Sequence, residues 1–237
     1  MKLNYIDNID CLQGLKEIPD KSVDLIVTDP PYDIHAGKGG GCFGNRKAYT
    51  DILPMADGFR EEILDELCRV LKKINIYLFC SQKQLLPLLD YFVTRRRCNW
   101  NLLTWHKSNP VPACCNKYLT DTEYILFFRE RGVRVFGSFD TKKTYYVTPL
   151  NQADKKKYGH PTVKPLGIVQ NLITNSSEPG ATVLDTFMGS GTTAVACLKT
   201  GRNYIGFELD EGWHTIAQQR IAETEAQIRR TWEDVGL

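Results

Sequence analysis

Asp29-Pro30-Pro31-Tyr32 is the stretch of this chain best equipped for chemistry. Two consecutive prolines fix φ and remove two backbone donors, so the chain there is stiff, extended and rich in unpaired carbonyls. The Asp29 carboxylate and the Pro30 carbonyl can both accept from one planar NH2 group, and Tyr32 offers an aromatic face on which a base stacks. Together they describe a socket for an exocyclic amine. The competing reading is a Pro-Pro turn, with Asp as a turn residue and Tyr half buried.

A second candidate comes late, at Asp185-Thr186-Phe187-Met188-Gly189-Ser190-Gly191-Thr192-Thr193-Ala194. From Gly189 it satisfies G-x-G-x-x-G/A, and Glu208 follows about 20 residues on, where an acid meets ribose hydroxyls. The glycines let backbone approach a ligand, and a helix N-terminus offers free N–H groups. Taken alone, this is a dinucleotide fingerprint. An oxidoreductase normally opens its domain with such a unit, whereas here it follows the other strands, and an amine socket has no use in hydride transfer. Asp185 adds a carboxylate beside the ligand, which suits a cofactor carrying an ammonium better than a pyrophosphate. The two sites together point to methyl transfer from S-adenosylmethionine to an amino group.

Both sites need rigid supports. Val23 to Val27 precedes the socket and reads as a buried parallel strand, because apolar and β-branched residues are adjacent rather than alternating. Leu3 to Ile6 reads as a strand, and Leu12, Leu15 and Ile18 as a helix stopped by Pro19. Residues 33–50 are glycine-rich and read as a mobile loop, a lid with Arg46 and Lys47 on phosphates. A helix capped by Asp57 should bury Phe59, Ile63, Leu64, Leu67 and Leu71, and Ile74 to Phe79 reads as the next strand. Ser81 caps a further helix, in which Pro87 predicts a kink or a late start. Asn101 to Trp105 and Thr122 to Phe128 are two more strands. The segment of about 130–159 interleaves Phe136, Phe139, Tyr145 and Tyr146 with Lys142, Lys143 and Lys155. That pattern fits nucleic-acid contact and an ordinary hairpin with an exposed rim equally well. Pro165 opens a helix burying Leu166, Val169, Leu172 and Ile173, and Thr182 to Leu184 is the strand before the glycine loop. A helix ending at Gly201, the strand Tyr204 to Glu208 and an amphipathic helix with Trp213, Ile216, Ala217, Ile221, Ile228 and Trp232 on one face complete the chain.

A chain of 237 residues suits one domain. The net charge of +2 does not announce a nucleic-acid binder. Lys72-Lys73, Arg95-Arg96-Arg97, Lys142-Lys143 and Lys155-Lys156-Lys157 each read more simply as a solvated face than as a phosphate track. The 8 cysteines include no C-x-x-C pair, and the adjacent Cys114-Cys115 is poorly spaced for zinc. They read as reduced thiols of a cytoplasmic protein with no metal site. No apolar run approaches the about 18 residues of a membrane span.

Asp-Pro-Pro-Tyr at 29–32, His160-Pro161-Thr162-Val163-Lys164-Pro165 and the Asp185-x-Phe187-x-Gly189-Ser190-Gly191 loop, in that order, resemble the β-class DNA amino-methyltransferases. The likeness runs from Leu3 to about Ile221. It implies a circularly permuted, Rossmann-like α/β fold, doubly wound around a mostly parallel sheet with the N-terminal strand beside the last one. Residues 1–237 would form a single methyltransferase domain with a short target-recognition segment at about 130–159. The resemblance implies that Asp29, Pro30, Pro31 and Tyr32 are catalytic. Phe187, Gly189 and Gly191 line the methionine end of the cofactor, Glu208 holds the ribose, Asp10 and Cys11 border the adenine, and Thr162 and Lys164 reach the cofactor carboxylate. Asp29, His160, Asp185, Ser190, Thr192 and Thr193 complete the expected cofactor set. The expected substrate is double-stranded DNA, methylated at adenine N6 after base flipping. Members acting on cytosine N4 more often carry serine where Asp29 stands. Cytosine N4 remains the alternative, followed by an RNA or protein amine and by a non-catalytic DNA-binding protein. Such relatives are bacterial or phage-encoded, and a homodimer and a cognate restriction endonuclease are the partners expected besides DNA.

Overall fold

Leu25 and Val27 pack on one face of a central sheet and Ile26 on the other, and helices cover both faces. That is why the strand reads as an unbroken apolar run. The computed structural model describes residues 1–30, 60–110, 112, 116, 118–150, 156–158 and 163–234, and the architecture is that of those residues. The strands are β1 (Tyr5–Asp7), β2 (Leu25–Thr28), β3 (Asn75–Cys80), β4 (Asn99–Lys107), β5 (Thr122–Arg129), β6 (Tyr145–Thr148), β7 (Thr182–Asp185) and β8 (Asn203–Phe207). They form one eight-stranded sheet in the order β1-β8-β7-β2-β3-β5-β4-β6. The first strand pairs parallel with the last, Ile6 opposite Gly206, as the permuted order requires. Only β5 runs against its neighbours.

Helices α1 (Cys11–Glu17), α2 (Glu61–Val70) and α3 (Gln82–Leu89) cover one face, where Leu15, Leu64, Leu67 and Leu88 meet Ile26, Ile76 and Leu78. Helices α4 (Leu166–Ser176), α5 (Thr192–Thr200) and α6 (Glu211–Asp234) cover the other, where Val169, Leu172, Ala194, Cys197 and Ala217 meet Leu25, Val27 and Val183. The doubly wound α/β architecture is thus the expected one.

Several expectations need correction. Ser81 does cap α3, with the Gln84 side chain accepting from its N–H at 2.8 Å, but the helix runs through Pro87 and widens at Asp90–Arg95 into a π-helical turn. Arg60, not Asp57, precedes α2; Asp57, Phe59 and the loop 33–50 lie outside the described residues. The aromatic segment is no hairpin, because Tyr145–Thr148 pairs parallel with β4. Its earlier part folds under the sheet, where the Phe136 N–H donates to the Asn175 carbonyl at the C-terminal end of α4. Trp213, Ile216 and Ile228 are only partly covered, and the buried face of α6 is Ala217, Arg220, Ile221 and Thr224. Gly201 ends α5 as expected, at φ 69°.

α1 crosses β8 closely enough to dictate a residue. A Cβ added at Gly14 would stand 2.5 Å from the ring of Phe207, which is buried and has nowhere to turn. Gly14→Ala should therefore cost about 1–3 kcal/mol by overpacking, although alanine is the better helix former by about 1 kcal/mol. Urea unfolding measures the difference, and a stabilised variant would contradict the close crossing.

Candidate active site

The strand order reverses between β7 and β2, and parallel strands on either side of such a point leave a crevice at their C-terminal ends. Asp185 ends β7 there, and Thr28 ends β2 beside it. The Thr28 hydroxyl donates to Asp185 Oδ1 at 2.7 Å, the Phe187 N–H donates to the same oxygen at 3.1 Å, and the Thr193 hydroxyl donates to Oδ2 at 2.6 Å. One buried carboxylate thus fastens the strand before the amine socket, the glycine loop and the first turn of α5. Burial raises the Asp185 carboxyl from its ordinary 3.8 to about 6, against the pull of those three donors. Asp185 therefore has a structural task before any ligand arrives, one the sequence did not disclose.

The glycine loop is shaped by its neighbours. Gly189 and Gly191 take φ of 53° and 82°, where side chains are strained, and a Cβ on Gly191 would lie 3.1 Å from the Ala217 methyl on α6. Glu208, one residue past β8, accepts from the Gly189 N–H at 2.7 Å and from the Asp210 N–H at 2.9 Å. Burial raises its carboxyl, and those amides oppose the rise. A carboxylate has about four lone-pair sites, so Glu208 can accept further donors at the same time. At the neighbouring strand end Asp10 caps α1 by accepting from the N–H groups of Leu12 and Gln13, at 3.0 and 3.4 Å. Cys11 beside it is buried, and desolvation pushes its thiol up to about 12, so it serves as an apolar wall. Asp10, Cys11, Glu208 and the loop share one rim.

Asp29 follows Thr28 directly. Its Oδ2 lies 2.5 Å from Nζ of Lys164, which is itself buried, lies over the Phe79 ring and also meets Glu123 Oε2 at 3.2 Å. Lys107 completes the chain at 2.9 Å from Glu123 Oε1. Burial pushes Lys164 toward the neutral amine, but Asp29 and Glu123 overcome it and hold the ammonium above its usual range. Burial would likewise raise the Glu123 carboxyl, yet Lys164 and Lys107 hold it at about 2. Lys164, expected at the cofactor carboxylate, is ion-paired with both Asp29 and Glu123. Pro31, Tyr32, His160 and Thr162 lie outside the described residues.

A cavity of about 330 Å³ opens at the opposite edge, between Asp24, Asn75, Arg134, Phe136 and Ser176. It lies at the N-terminal ends of β2 and β3, away from the strand ends where open α/β sheets bind ligands.

Residues 23–219 match a family model described as DNA methylase, of the N6/N4 methyltransferase class. The chain belongs to the N6/N4 DNA methylase family. Similar proteins include the Type II methyltransferase M1.MboII of Moraxella bovis, 26% identical over 89% of this chain and 93% of that protein. Another is the Type II methyltransferase M.HinfI of Haemophilus influenzae, 27% identical over 93% and 69%. Among solved structures, an M1.HpyAVI–SAM complex is 26% identical, covers 91% of this chain and 98% of its own, and superposes with a TM-score of 0.66. The cytosine-N4-specific PvuII DNA methyltransferase superposes at 0.71 with 15% identity, covering 94% and 91%, and shows the fold alone.

Residues of this family member that the sequence motifs pass over are Thr28, Lys107, Glu123 and Arg220. Arg220, on α6, is buried, donates to the Ser190 carbonyl at 3.1 Å and to the Thr192 hydroxyl at 2.9 Å, and lies 4.7 Å from the Tyr158 ring centroid. It anchors the glycine loop from behind. The signal was present: Glu123 is in step with inward-facing Ile125 and Phe127, and Arg220 sits beside Ile221 on an apolar stripe.

The Asp185 carboxyl gives a signed expectation. Its folded value exceeds the unfolded one, so its stabilising share is full below 3.8 and is lost as pH rises through about 6. Relative to Asp185→Asn, the wild-type protein should lose on the order of 2–3 kcal/mol between pH 4 and 7. Urea melts of both proteins across that range test it, and a constant difference contradicts the buried-carboxylate account.

Proposed function

We propose that this chain is a site-specific DNA methyltransferase that moves a methyl group from S-adenosylmethionine to N6 of adenine in double-stranded DNA. The observation that carries the proposal is the placement of Asp29, ion-paired to buried Lys164, on a strand end that Asp185 ties to the glycine loop. The residues fit the cofactor: Glu208 has acceptor capacity for ribose hydroxyls, the positive φ of Gly189 and Gly191 opens the loop for close approach, and Asp10 and Cys11 flank the same rim. S-adenosylmethionine supplies a methyl group on a positively charged sulfur that departs as a neutral thioether.

The remaining work falls to the protein. Adenine in a duplex buries its amine, so the nucleotide is flipped out at a cost of a few kcal/mol, and stacking on Tyr32 recovers about 1–3 kcal/mol. The N6 lone pair is delocalised into the ring. Asp29 and the Pro30 carbonyl accept its two N–H bonds, favouring the pyramidal amine and stabilising the positive charge that grows as the N–C bond forms. The ion pair with Lys164 favours the carboxylate form of Asp29, the form that accepts. The proton released from the methylated amine leaves through Asp29 to water. Asp29 rather than serine supports adenine over cytosine. The Type II names of two relatives extend the proposal to pairing with a cognate restriction endonuclease.

Incubation with S-adenosylmethionine and unmethylated plasmid DNA, digestion to nucleosides and mass spectrometry should give N6-methyladenine. N4-methylcytosine would overturn the base, and no methylated base would overturn the reaction. Asp29→Ala should lower the rate by at least about 100-fold with cofactor still bound, whereas Glu208→Ala should weaken cofactor binding about 10- to 100-fold by calorimetry. An unchanged dissociation constant for the Glu208 variant would remove the ribose assignment.

A further inference from the structure

Four ionisable side chains alternate in sign from the socket into the sheet. Asp29 Oδ2 meets Lys164 Nζ at 2.5 Å, Lys164 meets Glu123 Oε2 at 3.2 Å, and Glu123 Oε1 meets Lys107 Nζ at 2.9 Å. They come from different parts of the fold: the end of β2, the approach to α4, the start of β5 and the end of β4. Lys164 and Glu123 are 9% and 18% exposed at the side chain, so water screens the array weakly. Burying an ion row costs several kcal/mol per charge before its own attractions repay it, and the two charges beyond Lys164 are not needed to keep Asp29 paired.

Their effect follows from the reaction. Positive charge develops on the target amine beside Asp29, and an uncompensated ammonium at Lys164 would oppose it and draw the Asp29 carboxylate toward itself. Glu123 sits on the far side of that ammonium. We propose that Glu123 is a positioning residue for methyl transfer, holding the Lys164 ammonium in place and offsetting its charge so that the field at the amine socket stays close to neutral. Lys107 sets how strongly Glu123 does so. The inference rests on the amine-methylation reading and assigns to that site a part that none of its sequence motifs contains.

Among the described residues, the charged and titratable groups facing Asp29 include Lys164, the Asp185 carboxyl of β7 and the Cys80 thiol of β3, and those facing Glu123 include Lys107 and Lys164. Changing one far charge at a time therefore moves the acid limb of the reaction in a calculable direction. Glu123→Gln removes a negative charge, so Asp29 should ionise at lower pH while the plateau rate falls about 10- to 100-fold. Lys107→Gln removes a positive charge, so the limb should move to higher pH.

The test is single-turnover methylation of plasmid DNA with methyl-labelled S-adenosylmethionine as a function of pH, for wild type and both variants. S-adenosylhomocysteine affinity by calorimetry and thermal melting accompany it. Opposite displacements of the acid limb, with affinity within about twofold of wild type, are expected. Limbs that coincide with wild type, or a loss of rate fully explained by weaker binding, overturn the inference while leaving the functional reading intact. Wild-type protein that methylates no base overturns both. Should Glu123→Gln fail to fold, the Lys107→Gln limb decides: displaced upward it supports the array, unmoved it refutes it.

Discussion

The carboxylate of Asp185 is the interaction on which the rest of the site depends. It lies where two parallel strands diverge in connectivity, so a single side chain can reach the last residue of one strand and the first turn of the helix that follows the other. Without it, Thr28 and Thr193 would present buried hydroxyls with a lost acceptor, each costing about 1–3 kcal/mol. The distance between the amine socket and the glycine loop would no longer be set by covalent and hydrogen-bonded structure. Methyl transfer needs its reacting atoms aligned to within a fraction of an ångström, and misplacement is expensive in rate. A pin at the strand ends meets that requirement more simply than contacts made by loops.

A second constraint is electrostatic. Asp29 is charged and partly buried, which is tolerable only with a partner, and Lys164 supplies one. On the proposed reaction a lysine beside a site that generates cationic character is a liability, and Glu123 and Lys107 continue the ion row beyond it at the cost of burying further charges. Arg220 plays the corresponding mechanical part behind the glycine loop, filling donor positions toward Ser190 and Thr192 from α6. Both supports come from elements outside the three recognisable motifs. On the proposed function the motifs supply the groups that face ligand, and the surrounding fold holds Asp29 and the glycine loop in place.

Much of this was legible in the residues. The unbroken apolar runs at β2 and β3 report a sheet covered on both faces, and Gly201 stops α5 where a left-handed residue must stand. The positive φ of Gly189 and Gly191 and the placement of Asp29 and Glu208 at strand ends follow from patterns that are local in sequence. Lys164 was placed by motif at the cofactor, and the ion pair to Asp29, 135 positions away, is a tertiary fact that no local pattern carries. The basic runs resolved toward the plain reading. Lys72 pairs with Asp24 at 2.7 Å, at the edge of the sheet away from Asp29, Arg95 pairs with Glu61 at 2.8 Å and Lys157 with Glu223 at 2.8 Å. Pro87 does not delay the helix, which starts at Gln82 and accommodates the proline by widening into a π-helical turn from Asp90.

The most direct measurement is a crystal structure of the protein with S-adenosylhomocysteine and a DNA duplex carrying its target site. The account predicts ribose hydroxyls on Glu208 and an extrahelical adenine whose N6 lies within hydrogen-bond distance of Asp29 and of the Pro30 carbonyl, with Lys164 still on Asp29. A target base left stacked in the duplex, or a cofactor seated away from Glu208 and the glycine loop, would contradict it.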